Sequence, residues 1–197
     1  MFIQEKASEF TSFFLYYLLL QLGGPDGEMG ASMRYLSQRY SMSNRKVAGL
    51  LTDIATEELG HLEMVATIVR QLTKGLSAEE LEAAGFAPYY VDHTAGIWPQ
   101  AAGGVPFNAC EFQSKGDSIT DLFEDMAAEQ KARTTYDNIL RLVKDPEVCD
   151  PIRFLRAREV VHFQRFGEGL RMVQDDLDSR NYYVCNPDFD SPCFNCK

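Results

Sequence analysis

Two histidines in this sequence each follow a glutamate by three positions, within segments that otherwise carry apolar residues at helical spacing. Glu58 and His61 interrupt the middle of one such apolar stripe, and Glu159 and His162 interrupt the middle of another. Residues three apart share a face of a helix, so each pair is predicted to point into the core of a helical bundle. Glutamate and histidine together suit Mn or Fe as ligands, better than the ions that prefer thiolates.

Two further glutamates occupy comparable positions. Glu129 lies in the middle of a third apolar stripe, and Glu28 shares a predicted helix face with Ala31 and Tyr35. Isolated buried carboxylates are very costly, so they become neutral, pair with a cation or bind metal. Four glutamates and two histidines cannot all pair with one another, whereas two divalent cations would balance them. One Glu from each of two helices, with Glu-x-x-His from each of two others, is the pattern of ferritin-like dimetal proteins. The alternative is a set of ordinary buried polar residues that the fold satisfies.

Two neighbours of these residues each have two interpretations. Tyr35 could donate a hydrogen bond to a ligating carboxylate, or it could be a core tyrosine whose hydroxyl is satisfied elsewhere. Arg133, one turn after Glu129, could pair with a carboxylate of the stripe or lie at an interface. Four other acidic residues flank the stripes and are expected to be solvated: Glu57, Glu63, Glu124 and Asp125.

The segments that carry the candidate residues are predicted to be helices, because caps and breakers bound them. Pro25 and Asp26 suit the start of a first helix to about residue 41, and Ser43 caps a second that Gly75 stops. A capping box at residues 77–80 opens a short helix that Gly85 ends. Asp117 caps a third long helix to about residue 144, and Asp150 with Pro151 opens a fourth to about residue 177.

These elements predict an all-α fold, a ferritin-like four-helix bundle with a crossover connection and an extra N-terminal apolar helix. No strand pattern is convincing. The expected organisation is an apolar N-terminal segment (1–24), the bundle with its long loop (25–177, loop 86–116) and a cysteine-containing tail (178–197).

Composition and charge exclude several classes of partner and location. The chain has 197 residues and is 45% hydrophobic, which is ordinary for one soluble domain, and its formal charge is −10. Nucleic acids and anionic membranes select basic surfaces, so neither is expected as the main partner. The apolar run at 13–20 is too short to span a membrane, and the residues before it do not fit a signal peptide. We interpret the run as a helix packed against the bundle or a neighbouring subunit.

Five cysteines is an odd number, and the chain is too large to need a disulfide scaffold. Cys110 and Cys149 are expected to be buried thiols. Cys185, Cys193 and Cys196 crowd the tail. The spacing of the last two suits a metal or redox pair, but a zinc site lacks a fourth ligand. Crosslinking between chains is an equally favoured role for them.

Several stretches together resemble the manganese catalase family, and most closely its short spore-coat branch, the CotJC-type proteins. The resemblance covers about residues 22–177 and rests on GGPDGEMGASMRYLSQRY, LLTDIATEELGHLEMVATIVRQLTK, YYVDH with GIWP and GGVPF, DLFEDMAAEQKAR, and DPIRFLRAREVVHFQRFGEGLRMVQD. It implies two manganese ions, the first held by Glu28, Glu58 and His61. Glu58 would bridge to the second, which Glu129 and His162 complete.

The same resemblance implies that Glu159 accepts and donates protons beside the metals and that Tyr35 hydrogen-bonds near them. It also implies a homohexamer with the long loop in its subunit contacts. Some members of the family carry an arginine just before the third carboxylate, where this chain has Ala128, so a more open site is expected. The segment before Gly23 and the tail beyond about residue 180 depart from the family pattern.

The function expected is disproportionation of hydrogen peroxide to water and dioxygen, in the cytoplasm or the spore coat, with other spore-coat proteins as partners. One alternative is an iron-loaded ferritin-like oxidase or peroxidase, although the chain lacks a rubredoxin-type four-cysteine module. The other is a structural spore-coat assembly protein with a non-catalytic metal site.

Overall fold

Six α-helices account for most of the residues that the structure describes. The computed structural model describes residues 9–83, 90–91, 96–97, 100–101, 105–111 and 113–180. The helices are α1 (Glu9–Gly23), α2 (Glu28–Gln38), α3 (Arg45–Thr73), α4 (Ala78–Ala83), α5 (Ser118–Leu142) and α6 (Pro146–Arg180). Two short strands, β1 (Tyr90–Val91) and β2 (Gly96–Ile97), pair antiparallel within the long loop, where the sequence pattern indicated none.

The long helices form two antiparallel pairs, α2 with α3 and α5 with α6. Ser32 of α2 donates to the carbonyl of Ala55 in α3 at 3.0 Å, and Arg156 of α6 pairs with Asp137 of α5 at 2.8 Å. The ends of α3 and α5 contribute to one apolar cluster and their starts contribute to the other, so the two helices run in the same direction. The connection between them must therefore traverse the bundle, which confirms the predicted crossover bundle.

Two apolar clusters fill the bundle, one toward each end. The first holds the end of α3, the end of α5 and the start of α6, and the second holds α2, the start of α3 and the second half of α6. Helix α1 belongs to the first cluster, where Leu15, Leu18, Leu19 and Leu22 are buried. The apolar N-terminal run thus packs against its own bundle. Within the described residues, no helix is long and apolar enough to span a membrane.

A tight turn separates α1 from α2, so the first bundle helix starts at Glu28 rather than at Pro25. A Cβ atom on Gly27 would lie 2.4 Å from the carbonyl oxygen of Leu20, and one on Gly24 would lie 2.5 Å from it. Glycine is therefore required for the close approach of the two helices, and Glu28 comes to lie in the middle of the bundle.

Other helix ends follow their caps. The predicted caps at Asp117 and at residues 77–80 are confirmed by their hydrogen bonds. Asn44, not Ser43, caps α3, since its side chain accepts from two amides of the first turn. Helix α6 begins at Pro146, after Asp145 accepts from the amide of Glu147, and continues through the Pro151 expected to open it.

The cysteines divide between two environments. Cys149 is buried as predicted, whereas Cys110 is exposed, because it lies in a short 3-10 turn of the long loop. The tail cysteines, Cys185, Cys193 and Cys196, lie outside the described residues.

Candidate metal centre

The six candidate side chains converge between the two apolar clusters. Each is at most 2% exposed. Glu28 opens α2, and the others come from the middle of the long helices: Glu58 and His61 from α3, Glu129 from α5, Glu159 and His162 from α6. Burying this many ionisable groups at one place requires compensating positive charge.

Glu58 lies at the centre of the group. Its Oε2 atom is 2.6 Å from Nδ1 of His61, and its Oε1 atom is 2.7 Å from Nδ1 of His162. The two imidazole rings stack with centroids 5.5 Å apart and planes inclined by 20°. Each oxygen of this carboxylate therefore faces one histidine, so Glu58 would be the residue to contact both ions of a metal pair.

The remaining carboxylates surround the imidazoles at longer range. Glu28 Oε2 lies 3.8 Å from Nδ1 of His61, and Glu129 Oε2 lies 3.5 Å from Nδ1 of His162. Glu159 Oε1 lies 3.7 Å from Nδ1 of His61. Unlike Glu58, Glu159 faces one histidine only.

These donor atoms fit a dinuclear metal centre. Eight buried atoms of these residues form no hydrogen bond within the part of the chain that the structure describes: both carboxylate oxygens of Glu58, both ring nitrogens of His61 and of His162, Oε2 of Glu129 and Oε1 of Glu159. One ligand atom each from Glu58, His61, Glu159 and His162 lie within 4.8 Å of one another. Leaving one buried polar atom unsatisfied costs about 1–3 kcal/mol, and coordination to cations would remove that cost for the whole set.

The electrostatics of the metal-free chain also favour cations. Burial and the charge of Glu129 raise the pKa of Glu58 to about 7. Burial alone would lower the pKa of His61. The carboxylates of Glu28 and Glu58 outweigh burial and raise this pKa to about 10. The pKa of His162 rises to about 11 against burial for the same reason, through Glu129 and Glu58. The group therefore retains protons when no other positive charge is present.

Glu159 is the candidate acid of the site. Burial raises its pKa well above the ordinary value, and the charges of Glu129, Glu58 and Glu28 raise it further. A carboxyl group that holds its proton near neutral pH is suited to general acid–base work.

Two tyrosines fix the outer carboxylates. Tyr35 of α2 donates to Oε1 of Glu129 at 2.5 Å, in agreement with the first of its two interpretations. Tyr136 of α5 donates to Oε1 of Glu28, and sequence reasoning missed this contact. Each helix pair thus supplies the hydroxyl that orients a carboxylate of the other pair.

A constant spacing in the sequence could have identified Tyr136. Four pairs of like residues are each separated by 101 positions: Glu28 and Glu129, Tyr35 and Tyr136, Glu58 and Glu159, His61 and His162. Buried apolar positions follow the same spacing, among them Leu51 with Ile152 and Ile54 with Leu155. The two helix pairs are therefore related by an internal pseudo-symmetry, which Glu58 and Glu159 break by their different contacts.

Three expectations about neighbouring residues need correction or resolution. Asp125 is fully buried between α2 and α5 rather than solvated. Glu57 is partly buried and faces both histidines. Arg133 does not pair with a carboxylate of the stripe, because it contacts Gln130 and Asp137 on the bundle surface.

Comparison with known proteins connects this geometry to a family. The sequence model described as manganese containing catalase matches residues 4–180. The chain is similar to protein CotJC of Bacillus subtilis, with 48% identity over 85% of this chain and 88% of the relative. It is also similar to a probable manganese catalase of Clostridium acetobutylicum, with 34% identity over 83% of this chain and 73% of the relative.

A solved structure resembles the bundle as well. The crystal structure of KatB, a manganese catalase from Anabaena, superposes with a TM-score of 0.74 and 30% sequence identity. The match covers 86% of this chain and 76% of KatB.

Proposed function

We propose a catalase function for this chain from one premise: the chain belongs to the manganese-containing catalase family. The reaction is disproportionation of two hydrogen peroxide molecules to two water molecules and one dioxygen. The observation that carries the proposal is the convergence of four buried glutamates and two histidines whose inward-facing atoms have few partners.

Five of these side chains are proposed to hold two manganese ions. Glu28, Glu58 and His61 would hold one ion, and Glu129 and His162, with Glu58 shared, would hold the other. The central position of Glu58, with one oxygen toward each histidine, supports this division. Two manganese ions that each change by one electron supply the two-electron capacity that peroxide disproportionation requires.

Glu159 is proposed to move the protons. Its Oε1 atom has no hydrogen-bond partner within the described residues, so it is available to a peroxide in the site. Because burial and neighbouring carboxylates raise its pKa, this oxygen can hold a proton, donate it to the departing water and take one from the next peroxide.

The surrounding residues keep the site ordered. Tyr35 and Tyr136 each occupy one oxygen of an outer carboxylate, which leaves the other oxygen for metal. Ala128, which is buried beside Glu129, adds no bulk where some family members carry an arginine, and this supports a more open approach for peroxide.

We propose that the protein is a homohexamer of the cytoplasm or the spore coat. The similarity to B. subtilis CotJC supports the spore coat. An iron-loaded oxidase would use the same ligands, so metal content must be measured together with activity. A structural coat subunit with a non-catalytic metal site remains the rival, and it predicts bound metal without turnover.

Three variants test the site assignment. Glu58→Gln and His162→Ala should lose most of their bound manganese, because each removes a central ligand. Glu159→Gln should keep the manganese and lose about 10²–10⁴-fold in rate, since it removes a proton donor and acceptor. The measurements are manganese per chain by mass spectrometry and oxygen evolution from hydrogen peroxide. Full activity in all three variants would contradict the assignment.

A further inference from the structure

An ion pair between α3 and α6 lies directly outside the two histidines. Arg158 contacts both oxygens of Glu57, with Nε 2.6 Å from Oε1 and Nη2 3.1 Å from Oε2. The two side chains are about 30% exposed, and they too are separated by 101 positions. The fork of the arginine therefore fixes the plane of the carboxylate.

The carboxylate of Glu57 faces one histidine with each oxygen. Oε2 lies 3.2 Å from Nε2 of His162, and Oε1 lies 3.6 Å from Nε2 of His61. Neither Nε2 atom has a hydrogen-bond partner within the described residues. Since Nδ1 of each ring faces inward to Glu58, Nε2 is the nitrogen that carries the proton when a neutral imidazole binds metal.

We propose that Glu57, held in place by Arg158, is a positioning residue shared by both histidines. With metal bound, it would accept the Nε2 proton of each ring and so fix the tautomer that presents both Nδ1 atoms to metal. The inference rests on the proposed metal site, and it adds a carboxylate that neither the ligand pattern nor the resemblance assigned. A single side chain then sets the orientation of one ligand on each of two helices.

The charge of Glu57 matters as much as its position. The Arg158 guanidinium, which contacts both oxygens of Glu57, favours the ionised carboxylate. An ionised carboxylate offers acceptors on both oxygens, whereas the amide of glutamine would turn an N–H group toward one of the two rings. Glu57→Gln therefore preserves size and removes at least one of the two acceptors.

The first test is metal affinity, with a matched control from the same helix interface. Asp53 lies one turn before Glu57 on α3 and pairs with Arg165 of α6 at 2.5 Å, away from the site. We expect Glu57→Gln to weaken Mn²⁺ binding about 10–100-fold in competition with a chelator. Asp53→Asn should stay within about twofold of the unchanged protein. Equal affinities in the two variants would overturn the proposal.

The second test detects the imidazole protons themselves, by proton NMR of the cobalt-substituted protein. The unchanged protein and Asp53→Asn should each show two hyperfine-shifted N–H resonances that disappear slowly in D₂O. Glu57→Gln should lose at least one of them to rapid exchange with solvent. Two resonances of unchanged exchange rate in Glu57→Gln would overturn the positioning role.

This readout separates the inference from the proposed function, because cobalt binding requires no turnover. A protein that shows both resonances, and loses one in Glu57→Gln, but evolves no oxygen with manganese would refute the catalase and support the shared acceptor. An unchanged protein that binds neither cobalt nor manganese would overturn both.

Discussion

Outside the metal centre, buried charge is concentrated between α2 and α5. Asp125 is fully buried there, close to Arg34 and Gln38, which are at most 1% exposed. Burial raises the pKa of Asp125 well above its ordinary value, although Gln38 and Arg34 act in the opposite direction. Asp125 therefore binds a proton more tightly in the folded chain than in the unfolded chain.

Asp125→Asn should change the pH dependence of stability. The pKa of Asp125 is higher in the folded chain than in the unfolded chain. The stability that its protonation contributes is therefore fully present below the unfolded pKa, about 4, and is lost as the pH rises toward the folded pKa. Asparagine imitates the protonated acid at every pH. The variant should therefore gain more in unfolding free energy, relative to the original protein, at pH 8 than at pH 5, as urea denaturation would measure.

The exposed Asp53→Asn variant, in contrast, should show no such gain at pH 8. A gain for Asp125→Asn that is equal at the two pH values, or larger at pH 5, would show that Asp125 is ionised in the folded protein.

At the level of single residues, the ligand candidates could be predicted because a charge on an apolar stripe needs an explanation. Glu58 and His162 stood out for that reason. Tyr136 did not, since a tyrosine on an apolar stripe is ordinary and its partner, Glu28, is 108 positions away. Asp125 was missed because helical spacing gives its direction only approximately, and the neighbour that buries it comes from α2.

Among the elements, the turn between α1 and α2 is decisive for the site. It sets Glu28 in the first turn of α2, where the helix dipole favours a carboxylate. It also places α1 against the first apolar cluster, to which buried leucines of α1 belong. Gly27 has φ −89° and ψ 175°, a backbone conformation that other residues also adopt. The turn therefore needs glycine because there is no room for a side chain, and not because of the backbone conformation.

Gly27→Ala is expected to destabilise the fold by about 1–3 kcal/mol, because the added methyl would overlap the Leu20 carbonyl oxygen. Gly49→Ala, in α3, is the matched control, because nothing lies within 4 Å of its added methyl. That control should gain about 0.5–1 kcal/mol from higher helix propensity. Denaturant titration of both variants measures the difference, and equal stabilities would contradict the steric account.

Helix identity was easier to predict than helix ends. Apolar spacing defined α3, α5 and α6, while competing caps decided where they begin. Ser43 and Asn44 are adjacent candidates, and only the hydrogen bonds of Asn44 to the first turn distinguish them. Pro146 and Pro151 compete in the same way at the start of α6.

The whole molecule is built from two similar helix pairs that meet at the site. Two apolar clusters hold the pairs together on either side of it, and the charged centre lies between them. Without cations, the carboxylates of the centre repel one another in a region from which water is largely excluded. Metal should therefore contribute to the stability of the entire bundle.

Chelation is expected to lower the Tm by about 5–10 °C. Metal at about 100 times its dissociation constant stabilises a protein by about 2.7 kcal/mol, and each kcal/mol shifts the Tm of a chain this size by about 2–4 °C. Calorimetry of the manganese-loaded protein with and without chelator measures the shift. Glu58→Gln, which should hold little metal, is the control and should show little shift. An equal shift in that variant would attribute the effect to the chelator alone.

The central claim is that two manganese ions in this bundle disproportionate hydrogen peroxide. The most direct test is oxygen evolution by purified protein reconstituted with increasing manganese, normalised to the manganese bound per chain. We predict that the rate rises with bound manganese and reaches its plateau at about two ions per chain. Two bound manganese ions per chain without oxygen evolution would contradict the catalase and favour a metal-stabilised coat subunit.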